Sequence, residues 1–209
     1  SDTTFPIFNY DLLMTAATDM SNQPPRHGPL LPAHNIRCIV AGASAAGKTN
    51  YLMNLLLNED AVNFSHVVLC SKTQEQDKYA YLEKVLEGVP EITFTRYDDG
   101  KCLPENLEPD TTLIFDDVDS SFHDQLKIYF TRGRHSNVDS FYLVQTYAAA
   151  MKHCVRDNAN FLVLFPQDGL NLHLVWRDHA FNDVPFQKFT ELCREAWKIP
   201  YNCFVIDKT

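Results

Sequence analysis

Residues 42–49 read Gly-Ala-Ser-Ala-Ala-Gly-Lys-Thr, two glycines five positions apart followed by a lysine and a threonine. The segment before it, Ile36-Arg37-Cys38-Ile39-Val40-Ala41, is a short apolar run suited to a central strand, and Asn50 to Leu57 after it carries the apolar positions of a packed helix. The glycines let successive backbone N–H groups converge on one point, and the helix start adds its positive end, so this turn is built to hold phosphate. The predicted cradle runs through Gly42, Ala43, Ser44, Ala45, Ala46, Gly47, Lys48, Thr49 and Asn50. Within it, Lys48 reaches the β- and γ-phosphates of a nucleoside triphosphate, and Thr49 offers a hydroxyl to Mg²⁺.

A chain of 209 residues, 45% apolar and 22% charged, has room for one α/β domain with a full-sized core. No run of 18 apolar residues occurs, and the start, Ser1-Asp2-Thr3-Thr4-Phe5-Pro6, lacks a basic region followed by an apolar one. Neither a membrane span nor a signal peptide is expected, and the chain reads as cytosolic or nuclear, not secreted. Cys38, Cys70, Cys102, Cys154, Cys193 and Cys203 lie far apart with no CxxC pair, which argues against a disulfide framework or a zinc site and for mostly buried thiols. A net charge of −9 excludes a surface that is generally adhesive for nucleic acid, so any such contact must be local.

Residues 1–35 hold Pro24, Pro25, Gly28, Pro29 and Pro32 around His27 and His34 and read as an extended lead-in, with one short helix from Asp11 to Met20. From 36 to 209, strand-like and helix-like runs alternate, the pattern of a mostly parallel sheet with crossover helices. Strands are predicted at 36–41, 66–71, 92–95, 111–116, 140–145, 161–165, 172–177 and 202–206, and helices at 48–57, 77–87, 121–131, 147–155 and 185–197. The alternation in Leu172-His173-Leu174-Val175-Trp176 suits an edge hairpin or antiparallel addition.

The second signal is Thr111-Thr112-Leu113-Ile114-Phe115-Asp116-Asp117, an apolar strand that delivers two carboxylates at its C-terminal end, where open α/β sheets bind their ligands. Asp116 is placed to hold Mg²⁺ beside Thr49, and Asp117 to orient and deprotonate an attacking water. Asp119, with Ser120 and Ser121 as competitors, reads as the cap of the next helix. The strand Ser140-Phe141-Tyr142-Leu143-Val144 ends in Gln145, which can sense the γ-phosphate or hold the water, though a polar strand end is also ordinary. No Asn-Lys-x-Asp segment reads guanine, and no arginine-rich lid of the small-molecule kinases follows the loop. Between Asp124 and Asp139 there is no acid, so Lys127, Arg132, Arg134 and His135 form a local positive patch that can meet phosphate, or simply be a solvated loop.

The phosphate loop, the strand ending Phe115-Asp116-Asp117, the Gly133-Arg134-His135 segment and Gln145, in that order, resemble the poxvirus-type viral genome-packaging ATPases of the FtsK and HerA superfamily. The resemblance covers about residues 36 to 166, with Val155-Arg156-Asp157-Asn158 adding to it. It implies a P-loop NTPase of the ASCE or RecA-like kind, with a strand added between the phosphate loop and the Mg²⁺ carboxylate, to which the alternating run at 172–176 would make an antiparallel addition near the C-terminus. It also implies ATP and Mg²⁺ as cofactors and a homo-oligomeric ring, pentamer or hexamer, around double-stranded DNA. A viral capsid or portal-vertex protein is the implied further partner, in the host cytoplasm or nucleus or in the virion. An arginine would reach into the neighbouring subunit's site: Arg134 first, then Arg132 and Arg156. Much of the wider superfamily has Glu where Asp117 stands, so the carboxylate here is one methylene shorter. A nucleotide-dependent scaffold or switch in virion assembly and a helicase-like ATPase in replication are the competing readings.

Other residues are expected to serve structure. His27 and His34 lack a third metal ligand and read as part of a solvated linker. Trp176 and Trp197 read as core or interface anchors.

Overall fold

The computed structural model describes residues 24–72, 77–133 and 136–209. Seven strands form one sheet: β1 (Arg37–Ala41), β2 (His66–Ser71), β3 (Thr93–Tyr97), β4 (Thr111–Asp116), β5 (Val138–Val144), β6 (Phe161–Leu164) and β7 (Phe204–Asp207). Their order across the sheet is β3-β2-β4-β5-β1-β6-β7, parallel throughout except for β7, which runs antiparallel to β6. Parallel strands covered on both faces need apolar side chains in both directions, which is why the central strands read as unbroken apolar runs.

The strand period of two sorts those side chains into two cores. Ile39, Ala41, Leu113, Phe115, Tyr142, Val144, Leu162 and Leu164 face one side. They pack against α3 (His123–Arg132), α4 (Gly169–His179) and α5 (Phe186–Ala196) through Leu126, Phe130, Leu172, Val175 and Phe189. Cys38, Val40, Val67, Leu69, Ile114, Phe141, Leu143 and Val163 face the other side. Here Leu52 and Leu56 of α1 (Lys48–Leu57) and Tyr79, Leu82 and Leu86 of α2 (Asp77–Leu86) cover the sheet, spaced as one helical stripe requires.

Two expected elements differ. The strand predicted at 172–177 is the middle of α4. Asp168 accepts from the Asn171 N–H at 2.8 Å and caps a helix, and Leu172 and Val175 then point together into the core at helical spacing. The antiparallel addition is instead β7, with Phe161 opposite Asp207. The helix predicted at 147–155 breaks into a 3₁₀ turn, Tyr147–Ala149, and a π-helical turn, Lys152–Arg156. Side chains take its first donors: Gln167 Oε1 accepts from the Tyr147 N–H and Asn171 Oδ1 from the Ala148 N–H, and the chain is extended at Ala150. Asp119 caps a 3₁₀ turn, Ser120–Phe122, that leads into α3.

His27 is no solvated linker residue. It is 5% exposed, accepts from the Asn63 N–H through Nδ1, and holds Nε2 3.1 Å from Asp139 Oδ2. Asp139, wholly buried at the start of β5, also receives Arg26 at 3.2 Å and the Ile36 N–H at 2.7 Å. A buried carboxylate requires such partners, and they pin the lead-in across the sheet's lower edge. His34 is exposed. Trp176 and Trp197 anchor as expected, donating from Nε1 to Val184 O and Leu164 O. Of the six cysteines only Cys38, Cys70 and Cys193 are buried, while Cys102 is exposed and Cys154 and Cys203 lie between; all six are free thiols. The helix expected at Asp11 to Met20 lies outside the described residues. Among the described residues no helix is long and apolar enough to cross a membrane.

Candidate functional site

At the C-terminal edge of the sheet, β1 turns into α1 through the glycine-bearing loop. The constraint on both glycines comes from Phe165, which follows β6 and donates its N–H to Ala41 O. A Cβ on Gly42 would stand 2.6 Å from Phe165 Cβ, and one on Gly47 3.1 Å from Phe165 Cε1. Gly47 also has φ +117° and Ala45 has φ +61°, so the loop curls through the left-handed region twice. Tyr51 N–H donates to Gly47 O as α1 begins. Lys48 Nζ folds back onto the loop, donating to Gly42 O and, at 2.9 Å, to Ala43 O. Burial lowers its pKa while Asp116 and Asp117 pull it up, so the ammonium stands ready inside a carboxylate field.

β4 brings the carboxylates. Asp116 closes the strand at 6% exposure, paired in register with Ser71 on one side and Leu143 on the other. Tyr79 of α2 donates its hydroxyl to Asp116 Oδ2 at 2.7 Å and has Thr49 beside it, so one phenol stands between the loop and the strand tip. Burial and the neighbouring Asp116 carboxylate both raise the Tyr79 pKa, keeping that phenol protonated as a donor. Asp117 follows at φ +50°, turned outward and exposed. β5 separates β4 from β1 in the sheet and ends beside exposed Gln145, the arrangement expected of an added strand between phosphate loop and carboxylate.

Lys48, Thr49, Asp116, Asp117 and Gln145 all line one cleft of about 1010 Å³. Neither Arg132 nor Arg156 joins them. Arg132 is exposed in the last turn of α3, just ahead of β5, and so at the sheet edge opposite the loop. Arg156 is 7% exposed, its Nε 3.6 Å from Asp178 Oδ2 and its guanidinium 5.3 Å from the Tyr147 ring centroid, an inward-facing structural position. Arg134 lies outside the described residues. Residues that sequence reasoning missed are Tyr79, Phe165 and the cleft-lining Asp77, Lys78, Thr146 and Tyr201. Tyr79 shares the i, i+3, i+7 stripe of Leu82 and Leu86, which marks it as buried and says nothing of where its hydroxyl points.

The family model of the Poxvirus A32 protein matches residues 29–183, from the lead-in through α4. The chain belongs to the Poxvirus A32 protein family. The matched span holds every element of the cleft except Tyr201. Solved structures with the same fold include the genome packaging NTPase B204 from Sulfolobus turreted icosahedral virus 2. In its complex with AMPPCP it is 13% identical at a TM-score of 0.51, over 84% of this chain and 93% of that one. Its complex with AMP is 13% identical at 0.54, over 83% and 92%. B204, the DNA-packaging ATPase from Sulfolobus Turreted Icosahedral Virus, is 13% identical at 0.53, over 81% and 91%. No curated protein sequence matches the chain.

Proposed function

We propose that this A32-family chain is a viral genome-packaging ATPase that couples ATP hydrolysis to movement of double-stranded DNA. The observation that carries the reading is the meeting of Lys48, Thr49, Asp116, Asp117 and Gln145 on one cleft at adjacent strand tips. Genome-packaging NTPases of the same fold, solved with nucleotides, support it.

In this reading water attacks the γ-phosphorus in line, its proton passes to Asp117, and the bond to the β-phosphate oxygen breaks to leave ADP and phosphate. Lys48 neutralises charge that develops on the phosphate oxygens, and Gln145 orients the water. The residues fit Mg²⁺: Thr49 and Asp116 are hard oxygen donors, and two protein ligands suffice where substrate phosphates complete the shell. Bound there, the ion would draw negative charge from the γ-phosphate.

Arg134, with Arg132 behind it, is proposed to complete a neighbour's site in a ring; such an arginine contributes about 10³ to 10⁵ in rate. Arg132's place at the opposite edge from its own loop supports action on another subunit. The ring, as pentamer or hexamer, and a capsid or portal-vertex partner belong to the same proposal. The test is ATP turnover with and without duplex DNA, alongside the mass of the assembly. DNA-stimulated hydrolysis by a ring is expected. Slow turnover indifferent to DNA would favour a scaffold or switch, and unwinding of a forked duplex a helicase.

A further inference from the structure

Four residues around the cleft hold positive φ: Gly47 and, without the freedom of glycine, Ala45, Asp117 and Tyr201. Two of the latter belong to the phosphate loop and the carboxylate pair. The third is the bulky one: Tyr201 has φ +65° and is 76% exposed. Pro200 and the turn from Ile199 to Asn202 impose that conformation, which costs a bulky residue strain and leaves its ring presented to solvent without burial.

The segment carrying it is fixed at both ends. Trp197 donates Nε1–H to Leu164 O at 2.9 Å, Asn202 N–H closes a turn onto Ile199 O, and Cys203 packs into the core that α1 shares. Tyr201 stands between these anchors, and a Cβ on Gly47 would lie 3.8 Å from Tyr201 Cβ.

The sheet order sets the direction in which a nucleotide must lie. Asp116, Asp117 and Gln145, at the ends of β4 and β5, mark the γ-phosphate end. The nucleoside then leaves across β1 toward β6 and β7, and Tyr201 precedes β7 on that side.

We infer that Tyr201 is the base-stacking residue of the nucleotide site, a rigid aromatic wall for the adenine beside the phosphate loop. The inference rests on the nucleotide-hydrolysing function proposed above. An aromatic face takes any base, so Tyr201 supplies affinity for a nucleoside without selecting adenine over guanine.

The experiment compares binding of ATP and of inorganic tripolyphosphate, each with Mg²⁺, to the full chain and to Tyr201→Gly and Tyr201→Phe by calorimetry. Glycine accepts the backbone conformation, so Tyr201→Gly removes the ring without adding strain. ATP should bind Tyr201→Gly about 5- to 100-fold more weakly, with tripolyphosphate unchanged and Tyr201→Phe close to the native chain. GTP should lose as much as ATP. Saturation transfer from the tyrosine ring to the adenine H8 and H2 protons should appear in the native chain only. Equal loss of ATP and tripolyphosphate, or no loss of ATP, overturns the stacking role while leaving a Lys48-dependent phosphate site intact. Failure of both ligands to bind the native chain overturns the nucleotide reading itself, and this inference with it.

Discussion

The hydroxyl of Tyr79 reaches from α2 to within 2.7 Å of Asp116 Oδ2, with Thr49 of the phosphate loop beside the same phenol. A residue of the loop and one of the strand tip, 67 positions apart in sequence, thereby meet at one phenol. Hydrogen bonds to ionised acceptors are among the stronger ones, and Asp116 has little water to replace a lost partner. Tyr79→Phe keeps the ring in the core and removes only the oxygen. It should cost about 1–3 kcal/mol of stability in urea unfolding and raise the Mg²⁺ concentration needed for half-maximal turnover. A variant with native stability and native Mg²⁺ dependence would show that this phenol positions nothing.

Lys48 rests on the carbonyls of its own loop, Gly42 O and Ala43 O, and would exchange those acceptors for phosphate oxygens. Lys48→Ala should lower turnover on the order of a hundredfold or more and weaken ATP binding. Steady-state kinetics and calorimetry read both effects, and normal turnover would remove the basis of the functional reading.

Asp117→Asn keeps shape and loses the base, so ATP should still bind while turnover falls by about 10² to 10⁴. Arg134→Ala should be equally inactive, yet mixed assemblies of the two should recover hydrolysis, because some interfaces pair an intact Asp117 with an intact Arg134 next door. Phosphate release from verified mixtures measures this. Absence of recovery would assign Arg134 to its own subunit or to DNA, and an unimpaired Arg134→Ala protein would move the role to Arg132.

His179 sits under the Tyr147 hydroxyl at 2.6 Å, in a group with Asp178, Arg156, Asp157 and Lys208. Burial first, then the charge of Lys208, lowers its pKa from 6.5 to about 4, against the pull of Asp178 and Asp157. The unfolded chain therefore binds more protons between those values, and stability is lost as pH falls from about 6.5 through about 4. The loss is on the order of 1–3 kcal/mol. Urea titrations at pH 7.5, 5.5 and 4.5 should show a smaller fall for His179→Gln than for the native chain. Parallel slopes would mean that His179 titrates alike folded and unfolded.

What was legible in the chain was what backbone chemistry writes locally. The strand–glycine loop–helix unit appears at Arg37–Leu57, and the apolar run ending in Asp116 appears as β4 without a shift. Leu172 to Trp176 misled because leucines two apart serve a strand face or a helix flank equally well, and the deciding contact is Asp168 on the Asn171 N–H, at the helix start. His27 was misread for a different reason: its partner Asp139 lies 112 positions away, and nothing in a proline-rich segment announces a buried carboxylate waiting for it. Tyr79 and Tyr201 were invisible on the same ground, each meeting the cleft through tertiary packing alone.

The position of β1 between β5 and β6 also governs when the cleft comes into being. Arg37 pairs with Ser140 and Cys38 with Phe161, so both neighbours of the loop-bearing strand come from more than a hundred residues further along the chain. At about 5–20 residues per second, the ribosome leaves β1 without a partner for several seconds. Phe165, which shapes the loop against both glycines, emerges later still. A nascent chain stopped short of β6 thus carries the complete octapeptide without the scaffold that curves it.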